Sequence, residues 1–299
     1  MTLLENVKLG VLAVAIVVGA TASSDAQGRP PMRQHTATES EPLRLIKAIK
    51  TAGRNKVSIS MKGTKRVITA NGIPAHKVGR FPNSDNPNRI KAQSYTFMMP
   101  LTPQKTARST QSRMGIFGVA VNGVPFDPGA AEFWRGNPRS GWQYEALGGA
   151  VPLGLDANYA HVQPTGAYHY HGLPVGLMQQ VGWSRQEESP LIGYAADGFP
   201  IYAITATVDG RVTQMTSSYR LKSGSRTGNG PTGRHDGTFV QDYRYVAGAG
   251  TLDECNGAFV KTADYPQGTY AYFLTDGFPV IPRCHKGTAD NSFQKRRPR

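Results

Sequence analysis

Short apolar runs that end at turn-forming residues dominate this sequence. No stretch sustains a long amphipathic helical period, whereas several runs alternate with the two-residue period of a strand. The 34 glycines and 21 prolines fall between these runs and interrupt them. Val57–Met61 and Arg66–Ala70, for example, flank the turn sequence Lys62-Gly63-Thr64 and predict a hairpin. We therefore expect a mostly β protein, with a single large β-sandwich or barrel-like domain and long loops.

The clearest alternation is the run Tyr168-His169-Tyr170-His171, which ends at Gly172 and Pro174. Successive side chains of a strand point to opposite faces, so the two tyrosines share one face and the two histidines share the other. Imidazoles two residues apart on a strand are about 6–7 Å apart along the backbone and can converge on one small target. Neutral imidazole is the commonest metal ligand in proteins, so this run predicts a metal site.

Two further histidines are candidate ligands. His161 lies just upstream of the run and can supply a third ligand once the chain turns back between Pro164 and Gly166. His76 follows a tight turn that can aim it inward, and it is the fourth candidate. An all-imidazole site suits copper or zinc, and affinity alone favours Cu(II). The competing interpretation is a hydrogen-bonded structural histidine; we prefer it for His76 but not for the strand pair.

An internal repeat separates the tyrosines from the histidines. Residues 155–171 resemble residues 252–273, and the sequence Asp-Gly-Phe-Pro also occurs twice, at 197–200 and at 276–279. The two tyrosines of the run recur in the second copy. The three histidines do not recur, since their places are taken by Phe259, Ala271 and Phe273. We infer that the tyrosines belong to a shared framework and that the histidines serve a function of the first copy.

The N-terminal residues predict export. Lys8 precedes an apolar run from Leu9 to Ala20, and Ala20-Thr21-Ala22 is a candidate cleavage site, so residues 1–22 resemble a signal peptide. The run is short for a membrane span, and no later stretch approaches spanning length. These features predict a secreted or periplasmic protein without stable membrane insertion, with an uncleaved anchor as the alternative.

The net charge of +14 is distributed unevenly. Residues 23–113 carry 17 Lys and Arg against four Asp and Glu, whereas residues 114–294 carry 12 against 15. We therefore expect a flexible basic arm over 23–55, a β-rich domain over 56–290 and a basic tail over 291–299. Basic segments of this kind either attach a protein to an anionic surface or polymer or are simply solvated. No basic stripe is interleaved with aromatic residues, so no nucleic-acid partner is predicted.

Cys255 and Cys284 are the two cysteines of the chain. In an exported protein they predict one disulfide, with metal ligation by cysteine as the less favoured alternative. Closing a loop of roughly 30 residues contributes roughly 3–4 kcal/mol to stability through the entropy of the unfolded chain. The predicted disulfide would stabilise a segment dense in Tyr, Pro and Gly.

These motifs together resemble those of the YHYH domain proteins, a bacterial family named for its Tyr-His-Tyr-His tetrad. The matching segments are Asn71–Pro74 with His76, Asn122–Phe126, Ala160–Pro164, Gly166–Gly172, Asp197–Pro200, Leu252–Gly257 and Pro282–Cys284. The resemblance extends from about residue 56 to residue 286 and implies an exported protein. Metal binding by the tetrad is a hypothesis that accompanies the resemblance and is not an established role of the family. In related sequences the second copy often keeps one histidine between its tyrosines. Ala271 occupies that position here, which argues against a second metal site.

The leading hypothesis is therefore an exported metal-binding protein, with copper handling as its role. A metal-dependent hydrolase or oxidase is the first alternative, because three histidines and an open position can activate a metal-bound water. A nearby carboxylate would act as the general base, and the candidates are Asp156, Asp197, Glu145 and Asp236. Asp-Gly sequences more often serve turn geometry, so we expect these carboxylates to be structural and assign no catalytic residue.

The second alternative is a non-catalytic extracellular binding protein whose tyrosine-rich surface contacts a polymer or partner. The chain has 13 tyrosines, although strand alternation buries at least half of those in the motif. The sequence lacks the motifs of serine hydrolases, zinc proteases, phosphate-binding loops and dinucleotide sites.

Overall fold

The computed structural model describes residues 35–112 and 114–294. The predicted signal peptide, the start of the predicted basic arm up to residue 34 and the last five residues of the predicted tail lie outside the described residues. The described chain is mostly β with several sheets, as predicted, and these sheets do not close into a barrel. No helix in this part of the chain is long and apolar enough to cross a membrane.

The strands of the described chain are numbered in sequence order. They are β1 (Val57–Lys62), β2 (Lys65–Ala70), β3 (Tyr95–Pro100), β4 (Thr110–Gln111), β5 (Gly118–Ala120), β6 (Pro125–Phe126), β7 (Ala160–Val162), β8 (Tyr168–Tyr170), β9 (Gly193–Ala195), β10 (Pro200–Ala203), β11 (Thr205–Val208), β12 (Arg211–Gln214), β13 (Tyr219–Leu221), β14 (Tyr243–Tyr245), β15 (Gly257–Thr262), β16 (Tyr265–Leu274) and β17 (Cys284–His285). Within residues 35–112 and 114–294 there is one α-helix, α1 (Val175–Gln180), and short 3-10 helices span Pro138–Ser140, Val240–Asp242 and Asn291–Phe293.

A small antiparallel sheet packs on one face of a large sheet. The small sheet has the order β1-β2-β3, and its first two strands form the predicted hairpin, with Lys62 paired to Lys65. Its buried side chains form one apolar cluster with side chains of β5 and β9, and the cluster includes Ile68, Phe97, Met99, Val119, Tyr194 and Phe293. The two sheets therefore share a core in a sandwich-like arrangement.

The large sheet has eight strands in the order β15-β16-β10-β9-β5-β6-β8-β7. Its two halves have the same connectivity. In each half, an antiparallel hairpin (β5–β6 or β9–β10) lies beside a second antiparallel hairpin (β7–β8 or β15–β16), and the adjoining strands are parallel. The halves meet at β5 and β9, which are antiparallel, so an approximate two-fold axis relates them.

Glycine makes the close approach at this axis possible. Gly118 pairs with Ala195, and Gly193 pairs with Ala120, so the two glycines occupy equivalent positions. A Cβ atom added to Gly118 would lie 2.6 Å from the Tyr194 carbonyl oxygen, and one added to Gly193 would lie 2.4 Å from the Val119 carbonyl oxygen. Any side chain at either position would push the central strands apart.

The internal repeat predicted from the sequence is present in the structure. In the first copy the Asp156 N–H donates to the Ala160 carbonyl at 2.8 Å, and in the second the Asp253 N–H donates to the Gly257 carbonyl at 3.0 Å. The residues before these acceptors, Tyr159 and Asn256, share a left-handed conformation with φ of 50° and 51°. The two Asp-initiated turns are therefore equivalent.

The register of these turns corrects the alignment of the two copies that the sequence suggests. His161 pairs with His169 across the first hairpin, and Ala258 pairs with Ala271 across the second. Ala258, and not Phe259, is thus the counterpart of His161. The sequence comparison matched Ala-x-Val letters and so shifted this strand by one residue, whereas the turn that begins at the aspartate fixes the true register.

The two occurrences of Asp-Gly-Phe-Pro do not occupy equivalent places in the two halves of the sheet, although the sequence comparison matched them. Residues 197–200 form the turn of the β9–β10 hairpin, and its counterpart in the β5–β6 hairpin is 122–125. The Gly123 N–H donates to the Ala120 carbonyl at 2.8 Å, and the Gly198 N–H donates to the Ala195 carbonyl at 2.9 Å. Both glycines have positive φ. The second occurrence at 276–279 has no such hairpin role.

Residues 35–55, the described part of the predicted basic arm, run along the domain. The Ile46 N–H donates to the Leu155 carbonyl at 2.9 Å, and the Val78 N–H donates to the Lys50 carbonyl at 2.7 Å. Leu43 also packs against a buried apolar cluster. In this stretch the chain is therefore attached to the domain. Backbone groups make much of this attachment, so the pattern of residue types in the sequence does not predict it.

The predicted disulfide between Cys255 and Cys284 is present. The two Cα atoms are 5.1 Å apart, and both residues are buried. The bond joins the start of β15 to β17, and β17 pairs with β4. It therefore fastens the C-terminal part of the domain to one end of the large sheet.

Candidate metal centre

The hairpin β7–β8 places two of the candidate ligands opposite each other. The chain turns back at 163–166, where the Gly166 N–H donates to the Gln163 carbonyl at 2.8 Å. Gly166 has a φ of 87°, a conformation that glycine adopts without strain. With this turn, His161 on β7 pairs directly with His169 on β8. Directly paired residues point to the same face of a sheet, so the two imidazoles lie side by side.

The structure brings the imidazoles of His161, His169 and His171 together. The Nε2 atom of His171 lies 3.0 Å from that of His169 and 3.1 Å from that of His161. The three ring centroids are 4.7–4.8 Å apart in every pair, and the ring planes meet at 67–74°. The rings are therefore arranged almost symmetrically about one point. Among the described residues, these three form the group that could hold a metal ion.

The spacing of the nitrogens fits a transition metal. Zinc–imidazole distances of about 2.0–2.1 Å separate the nitrogens of a tetrahedral site by about 3.3 Å. The two Nε2–Nε2 distances of 3.0 and 3.1 Å are close to that separation. Three imidazoles leave one position of a four-coordinate ion for water or another ligand.

Carbonyl groups determine which ring nitrogens carry protons. The Nδ1 atom of His161 lies 2.9 Å from the Leu153 carbonyl oxygen, and that of His169 lies 3.2 Å from the Ala167 carbonyl oxygen. A carbonyl oxygen only accepts, so we assign the proton to Nδ1 in both rings. Both Nε2 atoms then direct lone pairs toward the Nε2 atom of His171. Lone pairs that point toward one another's nitrogens in this way are oriented as the ligands of a bound cation are.

The three candidate ligands differ in exposure. His169 and His171 are 3% exposed, whereas His161 is partly exposed because β7 is the edge strand of the large sheet. Two candidate ligands are thus fixed in the interior, and the third borders the solvent. An ion would enter the site from the side of His161.

The opposite face of β8 is fixed by hydrogen bonds of the tyrosines. The Tyr168 hydroxyl donates to Asp156 at 2.8 Å. The Tyr170 hydroxyl lies 2.6 Å from His76 Nε2 and accepts from the Asn122 side-chain amide at 2.9 Å. Burial raises the pKa of both tyrosines, which keeps their hydroxyls protonated. These bonds fix the orientation of β8 about its own axis. The histidines therefore point to the face opposite the tyrosines.

His76 lies on this tyrosine face, so the structure does not bring it to the other three histidines. Its Nδ1 atom donates to the Lys77 carbonyl at 2.8 Å, which leaves Nε2 to accept from the Tyr170 hydroxyl. Burial lowers the pKa of His76. The contacts of this side chain are those of a structural histidine.

The four carboxylates considered as general bases all make structural bonds. Asp156 also accepts from the Gly79 N–H at 2.9 Å, and Asp197 accepts from the Tyr272 hydroxyl at 2.6 Å. Glu145 pairs with Arg283 at 2.5 Å, and Asp236 pairs with Arg226 at 2.6 Å. Burial raises the pKa of Glu145 despite its arginine partner. We therefore assign none of the four a role in metal chemistry.

Asn86 is a residue of the site that the sequence analysis missed. Its side chain is buried, and its Nδ2 atom lies 3.3 Å from the Nδ1 atom of His161. The asparagine-rich loop 83–88 is visible in the sequence. Nothing local, however, connects it to a histidine 75 positions later.

The second copy has the tyrosine framework without the candidate ligands. Tyr270 donates to Asp253 as Tyr168 does to Asp156. The positions of the three histidines are occupied by Ala258, Ala271 and Phe273, which belong to an apolar cluster. These side chains offer no atom that binds a metal, so the candidate site occurs once in the repeat.

No curated protein and no solved structure matches the chain. The profile of the family described as "YHYH protein" matches residues 96–287, which is well over half of the chain. The matched region contains both halves of the large sheet, the three clustered histidines and the disulfide. The chain therefore belongs to the YHYH protein family.

Proposed function

We propose that this protein binds one transition-metal ion through the Nε2 atoms of His161, His169 and His171. The observation that carries the proposal is the convergence of the three atoms, with successive separations of 3.0 and 3.1 Å. The Nδ1–H groups of two of these rings are directed at carbonyl oxygens, which is the usual support of metal-bound histidine.

Copper is the metal that we favour, with zinc as the alternative. The group consists of imidazoles alone, without thiolate or carboxylate ligands among the described residues. Affinity for nitrogen ligands among divalent ions is greatest for Cu(II). Export, proposed from the signal-like N-terminal sequence, is consistent with the disulfide. The protein would then handle copper outside the cytoplasm.

Elemental analysis tests this proposal directly. The full chain is purified without an affinity tag, because a histidine tag would add ligands, and its copper and zinc contents are measured. We expect about one ion per chain in the wild type and none in the double variant His169→Ala, His171→Ala. His235→Ala is the matched control, since it removes a partly exposed histidine from a different loop. Equal metal contents in all three proteins would overturn the proposal.

A separate observation supports attachment to an anionic polymer. Between Glu41 and Asp85 the chain has ten Lys and Arg and no acidic residue. Lys65 pairs with Asp290, and Arg66 lies over the ring of Tyr194, but the other eight are exposed. We propose that this basic segment binds a polyanion by charge complementarity.

Heparin is a suitable probe for the basic segment. Lys47 and Lys77 line one cavity of about 490 Å³ together with Gln179 and Gln180. We expect the double variant Lys47→Gln, Lys77→Gln to elute from immobilised heparin at lower salt than the wild type. The control variant Arg211→Gln, Lys261→Gln removes two exposed charges elsewhere. Equal elution of both variants would mean that only net charge matters, and the proposed surface would be wrong.

A further inference from the structure

The loop that contains Asn86 is built to approach the metal-site hairpin. The Asn83 side-chain oxygen accepts from the backbone N–H groups of Asp85 and Asn86 at 3.0 and 2.8 Å. This turn directs Asn86 inward. A Cβ atom at Gly154 would lie 2.4 Å from the Asn83 side-chain oxygen and 2.8 Å from Asn86 Cβ. Glycine at 154, with a φ of 65°, therefore allows the loop to pack closely.

The Asn86 amide connects two chain segments that meet at His161. Its Nδ2 atom donates to the Val162 carbonyl at 3.0 Å and to the Leu153 carbonyl at 3.3 Å. The same Leu153 carbonyl accepts the Nδ1–H of His161 at 2.9 Å. The Asn86 side-chain oxygen accepts from the Asn88 N–H at 3.1 Å, which fixes the orientation of the amide.

We infer that Asn86 is a positioning residue of the metal site. It holds the Leu153 carbonyl where that oxygen accepts the Nδ1–H of His161, and so it directs the Nε2 atom of His161 toward the other two histidines. This inference rests on the proposed metal binding. His161 needs such support most, because it lies on the short edge strand β7 while His169 and His171 are buried.

Asn88 provides a matched control. Its side chain also donates to the Val162 carbonyl, at 2.8 Å, but in the described part of the chain it makes no hydrogen bond to the Leu153 carbonyl. Replacing Asn88 by Ala therefore removes a bond to the same strand and leaves the acceptor of the histidine in place. A difference in metal affinity between Asn86→Ala and Asn88→Ala therefore reports the role of Asn86 at the metal site.

The experiment compares Asn86→Ala and Asn88→Ala with the wild type. Copper and zinc affinities are measured by competition with a chelator, and the Cu(II) site is examined by electron paramagnetic resonance. We expect Asn86→Ala to weaken binding by about 10–100-fold, as is usual for such supporting residues, and to change the Cu(II) spectrum. Asn88→Ala should keep both properties. Equal affinities and identical spectra for Asn86→Ala and the wild type would overturn the inference.

Two further measurements cover the remaining outcomes. Long-range ¹H–¹⁵N spectra of the wild type report the tautomer of His161, and an Nε2–H tautomer would overturn the inference even if Asn86→Ala fails to fold. Asn86→Asp replaces the donor by an acceptor, so it should bind metal as weakly as Asn86→Ala, and wild-type affinity would contradict the donor role. A wild type that binds no metal would instead refute the proposed function itself.

Discussion

His161 lies directly opposite His169 in the register of β7 and β8. Two of the three proposed ligands are therefore adjacent only because of the register of these strands. A slip of one residue would move His161 to the other face of the hairpin, where the tyrosines are. The site therefore depends on the turn at 163–166 as much as on the histidines themselves.

Metal removal should lower the stability of the folded protein. An ion that binds only the folded state adds about 2.7 kcal/mol to the free energy of unfolding at a concentration of 100 times its Kd. We expect the melting temperature to fall when a chelator removes the ion and to recover when copper or zinc is restored. The double variant His169→Ala, His171→Ala should show no response, and an unchanged response in that variant would contradict the assigned ligands.

The protein without metal should lose stability as the pH falls below the ordinary pKa of His76. Burial lowers the pKa of His76 below 6.5 in the folded state. The stability linked to its neutral form is complete above pH 6.5 and is lost as the pH falls toward the lowered pKa, because the unfolded chain binds the proton first. Urea unfolding between pH 7.5 and 5 in the presence of a chelator measures this effect.

His76→Gln is the comparison for this measurement. The two proteins differ only at residue 76, so the difference between the two curves isolates the contribution of His76. We expect the variant to lose less stability across this range than the wild type. Parallel curves would show that the protonation of His76 is not linked to folding.

The two tyrosine–aspartate pairs should differ in strength. Tyr168 donates to Asp156, which is fully buried, whereas Tyr270 donates to Asp253, whose side chain is 28% exposed. Loss of a hydrogen bond to a charged group costs about 1.5–3 kcal/mol, and we expect this full cost for Tyr168→Phe. Tyr270→Phe should cost less, because water can solvate Asp253. Equal losses in urea unfolding would contradict this ranking.

Removal of the disulfide should lower stability without removing the metal site. Cys255 and Cys284 are 29 residues apart, and closing a loop of that length contributes roughly 3–4 kcal/mol. We expect the variant Cys255→Ser, Cys284→Ser to show this loss in urea unfolding. Under conditions where the variant is folded, it should still bind one metal ion, because the site lies in the other half of the sheet.

Local patterns in the sequence predicted the features that depend on neighbouring residues. The two-residue period predicted the strands and the β1–β2 hairpin, and the alternation of Tyr and His predicted the two faces of β8. The position of the third candidate ligand was also predictable, since a turn at Pro164–Gly166 brings His161 back beside His169. Each of these inferences needs only the geometry of a strand and a turn.

Features that join distant segments were not predictable. The approximate two-fold axis depends on the pairing of β5 with β9, 75 residues apart, and on backbone contact at Gly118 and Gly193. Asn86 acts on His161 through a carbonyl group, which no side-chain pattern encodes. The helix α1 has only six residues and is too short to show a helical period.

The two edges of the large sheet end in strands that occupy equivalent places, β7 on one side and β15 on the other. An edge strand is held by a neighbour on one side only, so it is the part of a sheet that frays first. Cys255 lies two residues before β15 and anchors that margin covalently through Cys284. A metal ion on His161 would cross-link the opposite margin to β8. The two borders of the sheet would then be fastened by different chemistry, one sensitive to reductants and the other to chelators.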